Sequence, residues 1–386
     1  MMAARGWAAA WRDTLAELLR DKGALLLIVL APVFYGFFYP WPYATEVLQR
    51  VPVAIVDLDH SSLSRQIVRY ADASPDLRVA MVTGDEETAR QAMWRGEIEG
   101  YALLTRDLKR NVLRGRPAPV VVSTNGSYAL YNKAVMTGFT AVVGTVSAGI
   151  EIAQRTARGQ GRAQAMAGRS PVGVSAVALY NPTGGYGSYV VPAVALIIMQ
   201  QTLLMGVAML AGTWAEAGRL RASASVWLGR VLAFSTAGLF AGLVYFGWIF
   251  WLQDYPRGGN PLGALVLLLC YAPAISVAGA LLGAWLKDRE QALQAWLFTS
   301  LPIAFLSGFA WPVESLPPVL QAARWIFPST AGIDASLRLN QMGAPLADVA
   351  GSLSWLAAWA LAGFAALAWW MRPREPGTLR GDVRSA

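Results

Sequence analysis

The chain has 386 residues, 55% of them apolar and only 15% charged, with 16 Trp, a balance that excludes an ordinary soluble domain and indicates an integral membrane protein. A single Cys, Cys270 within an apolar run, and a single His, His60, exclude a disulfide framework and a His/Cys zinc centre and argue against a histidine proton shuttle. The net charge of +8 does not indicate nucleic acid, because many of the basic residues flank apolar runs instead of sharing one soluble face.

Residues 1–22 place Trp7, Trp11, Leu15 and Leu18 at helical spacing, opposite Arg12, Asp13 and Arg20. This predicts a cytoplasmic amphipathic helix lying in the membrane interface, with Trp7 and Trp11 as its anchors; a plain extension of the first span is the alternative. Residues 23–43 form that span. Asp13, Glu17 and Asp21 precede it, and Pro40-Trp41-Pro42 stands where a signal peptide would carry small residues, so it reads as an uncleaved anchor.

Residues 44–183 have soluble composition and are expected to form an extracytoplasmic α/β domain ending in a long helix. Strands are predicted at 51–56, 77–82, 98–104 and 119–123, alternating with helices at 61–71, 86–95, 107–114 and about 128–159. Asp57 and Asp59 end a strand, as metal or nucleophile carboxylates sometimes do. Without a third acidic partner, a strand-end turn with Ser61 or Ser62 capping the next helix is preferred, and no metal is assigned. The stretch Ala134 to Ile150 is charge-free but carries Thr137, Gly138, Thr140, Gly144, Thr145, Ser147 and Gly149. Counting it as a span would move Arg219, Arg221, Lys287, Arg289 and the C-terminal arginines outside, so it is assigned to the domain.

Five more charge-free runs place spans at 186–211, 228–252, 262–286, 291–310 and 349–371, making six in all. With a cytoplasmic N-terminus, Arg5, Arg12, Arg20, Lys22, Arg219, Arg221, Arg230, Lys287, Arg289, Arg372, Arg374, Arg380 and Arg384 lie inside, and the short outer loops hold only Arg257, Arg324 and Arg338. That asymmetry satisfies the positive-inside rule. The loop 212–227, with Glu216, Arg219 and Arg221, is a short polar segment suited to contact a partner, although topogenic charge alone accounts for its arginines equally well. Between 311 and 347, Pro312, Pro317, Pro318 and Pro328 break helices while Trp311, Trp325 and Phe327 seek the interface, which predicts broken, half-inserted helices on the outer side. A cytoplasmic tail, 372–386, closes the chain.

The missing chemistry narrows the class. There is no G-x-x-x-x-G-K-[ST], G-x-S-x-G or H-E-x-x-H, so neither nucleotide hydrolysis through a P-loop nor a familiar hydrolase site is expected. The six spans hold no acid or base of the kind ion-coupled transporters use as relays. A transport protein of this composition therefore borrows its energy from a separate subunit.

At this point the chain resembles the permease of type-2 ABC transporters of the bacterial exporter kind, over nearly its whole length. The resemblance rests on the order of interface helix, span, large extracytoplasmic domain and five further spans. It rests most specifically on Phe305-Leu-Ser-Gly-Phe-Ala-Trp-Pro-Val-Glu-Ser-Leu-Pro317, with Ser307, Gly308, Trp311, Pro312 and Pro317, on Phe327-Pro-Ser-Thr330, with Pro328, Ser329 and Thr330, and on Gln341-Met-Gly-Ala344. The resemblance implies ATP and Mg²⁺ on a partner ATP-binding subunit and no cofactor or catalysis on this chain. It also implies a second permease copy or a paralogue, and often a periplasmic membrane-fusion adaptor. It assigns coupling to the loop after the second span, matched loosely by Glu216, Gly218, Arg219, Leu220 and Arg221, and it places the chain in a bacterial inner membrane, exporting drug-like or lipophilic substrates. From another class, a membrane receptor or envelope-assembly scaffold with a ligand-binding ectodomain fits the same outline.

Overall fold

The computed structural model describes residues 6–169, 179–255 and 257–373. Arg5, most of the predicted tail and the chain between 170 and 178 lie outside the described residues. The chain divides into two compact units: Met1–Glu46 with Ala178–Ala386 is helical, and Val47–Val177 is an α/β unit.

In chain order, α1 (Trp7–Arg20) leads into α2 (Lys22–Tyr43). The α/β unit follows as β1 (Val51–Asp57), α3 (Ser62–Asp72), β2 (Leu77–Thr83), α4 (Glu86–Trp94), β3 (Gly100–Leu104), α5 (Leu108–Leu113), β4 (Val120–Thr124), α6 (Ala129–Ala157) and α7 (Arg162–Arg169). The helical unit resumes as α8 (Tyr186–Glu216), α9 (Ala224–Leu252), α10 (Pro261–Leu286), α11 (Arg289–Leu306), α12 (Pro318–Ala323), α13 (Pro328–Ser336) and α14 (Leu346–Trp370).

The sheet order is β2-β1-β3-β4, with β1 parallel to both neighbours and β4 antiparallel to β3. The central β1 is apolar on both faces, as a doubly covered strand must be. Val53 and Ile55 meet Leu63 and Ile67 of α3 and Phe139 and Val142 of α6, while Ala54 and Val56 meet Ala89 and Ala92 of α4. Asp57 closes β1 with its carboxylate fully engaged. It accepts the N–H groups of Asp59 at 3.0 Å and His60 at 2.9 Å and the Ser64 hydroxyl at 2.7 Å, while Ser61 caps α3. These bonds make Asp57 a turn residue, and among the described residues no three His, Cys, Asp or Glu side chains are grouped to hold a metal.

Among the described residues, six helices are long and apolar enough to cross a membrane: α2, α6, α8, α9, α10 and α14. The set differs from the sequence expectation at two places. The expected span at 291–310 is the 18-residue α11, which opens on Arg289-Glu290-Gln291 and ends at Leu306, where Gly308 takes a left-handed φ of +88°. Its uncharged part is therefore shorter than the usual span of about 20 residues. Conversely, α6 has a span's length, yet Val135, Phe139, Val142 and Val146 belong to the core of the sheet. A buried helix face and a lipid-facing one share a composition, so hydropathy alone does not assign α6 to a bilayer.

In the helical unit α8 is central. A Cβ at Gly279 or Gly283 of α10 would lie 2.8 Å from the Leu204 carbonyl oxygen or 2.4 Å from that of Ala208, so the two backbones touch in the manner of small-residue packing in membranes. At the N-terminus of α8, Ser188 donates both its N–H (3.0 Å) and its hydroxyl (2.9 Å) to the Glu46 carboxylate, which also suits the positive end of the helix. Phe34, Phe38, Phe240, Leu243, Leu269 and Leu361 are exposed on the outside of this unit, a surface that only lipid or another apolar partner satisfies.

Candidate functional site

The charged ends of α1, α8, α9, α11 and α14 meet in one cluster. Its geometry starts from a close approach: a Cβ at Gly229 of α9 would lie 2.2 Å from the Trp7 carbonyl oxygen and 2.9 Å from the Trp11 backbone nitrogen. Glycine there lets α1 lie directly on α9, burying Ala10, Thr14 and Leu18. Trp11 donates to the Thr236 hydroxyl at 3.2 Å, whereas Trp7 stays 52% exposed. Of the two predicted anchors, Trp11 is tied to the bundle and Trp7 is free to face an interface.

Further along α1, Glu17 accepts from Trp214 Nε1 at 2.6 Å and from Arg219 at 2.8 Å. Burial pushes the Glu17 carboxyl up, and the hydrogen bonds from Arg219 and Trp214 outweigh it, leaving its pKa below the ordinary value. Behind them Arg230, 8% exposed, stacks between the rings of Trp214 (4.0 Å) and Trp227 (4.7 Å) and donates to the carbonyls of Leu220 (3.3 Å) and Arg219 (3.0 Å). Arg230 thereby fixes the loop from inside.

A second lock joins Asp21 to Arg289. The guanidinium donates to both carboxylate oxygens, at 2.6 and 2.8 Å, and to the Thr213 hydroxyl at 2.8 Å, while Asp21 caps α2 through the N–H groups of Gly23 and Ala24. The hydrogen bond from Arg289 is the main reason the Asp21 carboxyl is held down at about 2, against an ordinary 3.8. A carboxylate whose folded pKa lies below its unfolded one adds stability above the unfolded value and loses it as pH falls through the folded one. The difference in melting temperature between the purified protein and its Arg289→Met variant is therefore expected to be constant above about pH 5, to fall as pH drops through about 2, and to vanish only below it. A difference as large at about pH 1 as at about pH 5 would show that Arg289 acts through packing instead.

The three predicted coupling residues all lie here, each engaged within the chain. Glu216 accepts the N–H of Arg289 at 3.0 Å, Arg219 pairs with Glu17, and Arg221 donates to the carbonyls of Trp370 (3.4 Å) and Arg372 (3.0 Å) at the end of α14. Glu216 ends α8 rather than sitting in the loop, and the loop is shorter than 212–227 because α8 runs to Glu216 and α9 starts at Ala224. Gly218, with φ +66°, supplies the left-handed stop. The segment from Arg219 to Ser223 is not helical. Glu17, Asp21, Trp214, Arg230 and Arg289 were not singled out as site residues by sequence reasoning; Glu17 and Asp21 meet Trp214, Arg219 and Arg289 from 197 to 268 positions away, and only the small, uncharged Gly229 within an Arg/Trp-rich helix start hints at a close helix crossing.

The remaining motif residues shape a broken hairpin between α11 and α14. Ser307 donates to the Ala304 carbonyl at 2.6 Å, and Gly308 turns the chain. Trp311 is exposed, Pro312 and Pro317 flank a short turn, and Pro328 opens α13. Ser329 and Thr330 are buried, with Thr330 donating to the Arg324 carbonyl at 2.6 Å. From Pro328 the chain climbs past Tyr271, against Gly332, to Asn340, whose side-chain oxygen accepts the Gly258 N–H at 3.0 Å.

Residues 22–370 match the model of a family described as ABC-2 family transporter protein. The match spans most of the chain and takes in the α/β unit as well as the helical one. No curated protein matches the chain.

Proposed function

Because the chain belongs to the ABC-2 family of transporter proteins, we propose that it is the membrane permease of an ATP-driven exporter that moves a hydrophobic or amphiphilic substrate out of the cytoplasm or inner membrane. Energy comes from an ATP-binding partner subunit, which holds ATP and Mg²⁺. Two permeases, identical or paralogous, sit on two such subunits in a bacterial inner membrane. The termini and the charged cluster face the cytoplasm, the α/β unit stands in the periplasm, and a membrane-fusion adaptor docks there.

The observation that carries this reading is the fastening of α1 to the segment Arg219–Ser223 through Glu17, Trp214 and Arg230. A push from a cytoplasmic ATPase on either α1 or that segment is delivered at once to α8 and α9, the helices that the segment joins. Glu216, Arg219 and Arg221 are the coupling residues of this account. Arg219 is 54% and Glu17 34% exposed at the side chain, so their pair contributes at most about 1 kcal/mol to stability and is free to rearrange.

Reversing charge at both Arg219 and Arg221 is expected to lower ATP-driven efflux of a hydrophobic dye at least tenfold while the protein stays in the membrane. Unchanged efflux would remove the coupling assignment. Exchanging the pair, Glu17→Arg with Arg219→Glu, separates two routes. Recovery of efflux in the exchanged variant means that Arg219 transmits through α1, and continued loss means that it touches the ATPase directly.

A further inference from the structure

A cavity of about 420 Å³ lies in the helical unit, lined by Leu204 of α8, Leu281 and Trp285 of α10, Phe327 at the start of α13, and Trp359 and Trp370 of α14. Every lining side chain is apolar. The role of the charged cluster does not use it, and the core packing leaves it unfilled.

Its dimensions limit what fits. On α14 the lining runs from Trp359 to Trp370, eleven residues, or about 16 Å at the helical rise of 1.5 Å per residue. Half of a bilayer's hydrocarbon core is about 15 Å. The cavity's length, from Phe327 and Pro328 to the ends of α10 and α14, therefore matches the hydrocarbon depth of one leaflet.

Two exposed basic residues lie just beyond that end. Lys287 follows Trp285 by two residues and ends α10 in a left-handed turn. Arg372 follows Trp370 by two residues, with its guanidinium 5.7 Å from the Trp369 ring. Arg221 donates to the Trp370 and Arg372 carbonyls at the same helix end. Lys287 and Arg372 are both exposed. Of the acids nearby, Asp288 is engaged in capping α11 through the N–H groups of Glu290 and Gln291, Glu216 is exposed but accepts the Arg289 N–H, and Glu290 is exposed. Tryptophans at headgroup level with cations just beyond them form an interfacial anchor of the kind that attracts anionic lipid.

We propose that this cavity binds one anionic phospholipid from the leaflet on the side of the α14 C-terminus, with an acyl chain between α8, α10 and α14 and the headgroup phosphate at Lys287 and Arg372. The site serves the permease as a bound structural lipid and is independent of the export reading: it requires neither ATP nor a transported substrate.

The test uses the full chain purified in detergent, stripped of lipid, and titrated with dioleoyl phosphatidylglycerol or dioleoyl phosphatidylcholine under native mass spectrometry. The wild type is expected to retain one phosphatidylglycerol per chain at concentrations at least tenfold below those needed for phosphatidylcholine. The double variant Lys287→Glu/Arg372→Glu, whose changes lie outside the core, loses that preference while phosphatidylcholine retention stays the same. Leu281→Trp, which fills the cavity, lowers retention of both lipids, and Ala278→Trp, on the same wall, does so if Leu281→Trp does not fold. Equal retention of the two lipids by the wild type would overturn the proposal. So would undiminished phosphatidylglycerol retention in a folded cavity-filling variant, or chain-to-chain crosslinking through Trp359→Cys that excludes lipid, which would assign the cavity to a second copy of the chain.

Discussion

Gly229→Val is expected to strip α1 from the bundle. The added Cβ would sit 2.2 Å from the Trp7 carbonyl oxygen and 2.7 Å from the Ala10 Cβ, and two of the three nearest atoms are backbone, which no rotamer change relieves. Overpacking of this kind costs roughly 1–3 kcal/mol, and the buried face of α1 is small, Ala10, Thr14 and Leu18, backed by the Trp11–Thr236 hydrogen bond and the bonds of Glu17 to Trp214 and Arg219. Detachment therefore wins over compression. Trypsin cleavage after Arg12 and Arg20 should accelerate at least tenfold in Gly229→Val and stay unchanged in Gly6→Ala, because nothing lies within 4 Å of a Cβ at Gly6. Cleavage at the wild-type rate in both variants would mean that α1 does not depend on this contact.

Arg230→Ala has the second largest expected effect. Its guanidinium lies over two indoles and donates to the Arg219 and Leu220 carbonyls, adding to the Arg219 N–H bond to the Trp214 carbonyl and the burial of Leu220. Truncation leaves a gap over the faces of Trp214 and Trp227, which meet edge-to-face, and unsatisfied carbonyls, together costing about 3 kcal/mol. Arg230→Lys should recover less than half, since an ammonium neither stacks as a plane nor reaches both carbonyls. Tryptophan-fluorescence melting in detergent reads both variants; a Lys variant as stable as wild type would show that charge alone, and not the stacked plane, matters at this position.

The parts of this protein set by local pattern were legible in the sequence, and the parts set by long-range juxtaposition were not. Strands such as Val51–Asp57 and Gly100–Leu104, and helices such as Ser62–Asp72 behind the Ser61 cap, follow from short apolar runs and capping chemistry within a few residues. The apolar runs of α8, α9, α10 and α14 are equally local. By contrast, the charge-free run that predicts a span at 291–310 does not stay helical to its end, because the chain turns at Ser307 and Gly308. Sequence hydropathy does not register a left-handed glycine that ends a helix early. For α6 the difficulty is reversed, because the face that packs on Leu77 and Ile55 has the same composition as one facing lipid.

The charged cluster shows the same division. Glu216, Arg219 and Arg221 stood out because charges interrupt two apolar helices. What they do within the chain depends on Glu17, Arg289 and the end of α14, positions whose proximity nothing in a linear pattern records. The sequence thus located the cluster but not its inner half, Arg230 and the two tryptophans, since a buried arginine is invisible until its stacking partners are placed.

The central claim is that this chain is a permease driven by a separate ATP-binding subunit. The measurement that tests it most directly is gentle purification from the native membrane, identification of what accompanies the chain, and assay of the preparation for ATP hydrolysis. The account predicts a co-purifying ATP-binding subunit with vanadate-sensitive turnover, released from the chain when Arg219 and Arg221 are both reversed in charge or when α1 is displaced by Gly229→Val. A chain that purifies alone, with no ATPase activity in the preparation and no ATP-binding subunit recovered after crosslinking in the intact membrane, would contradict it.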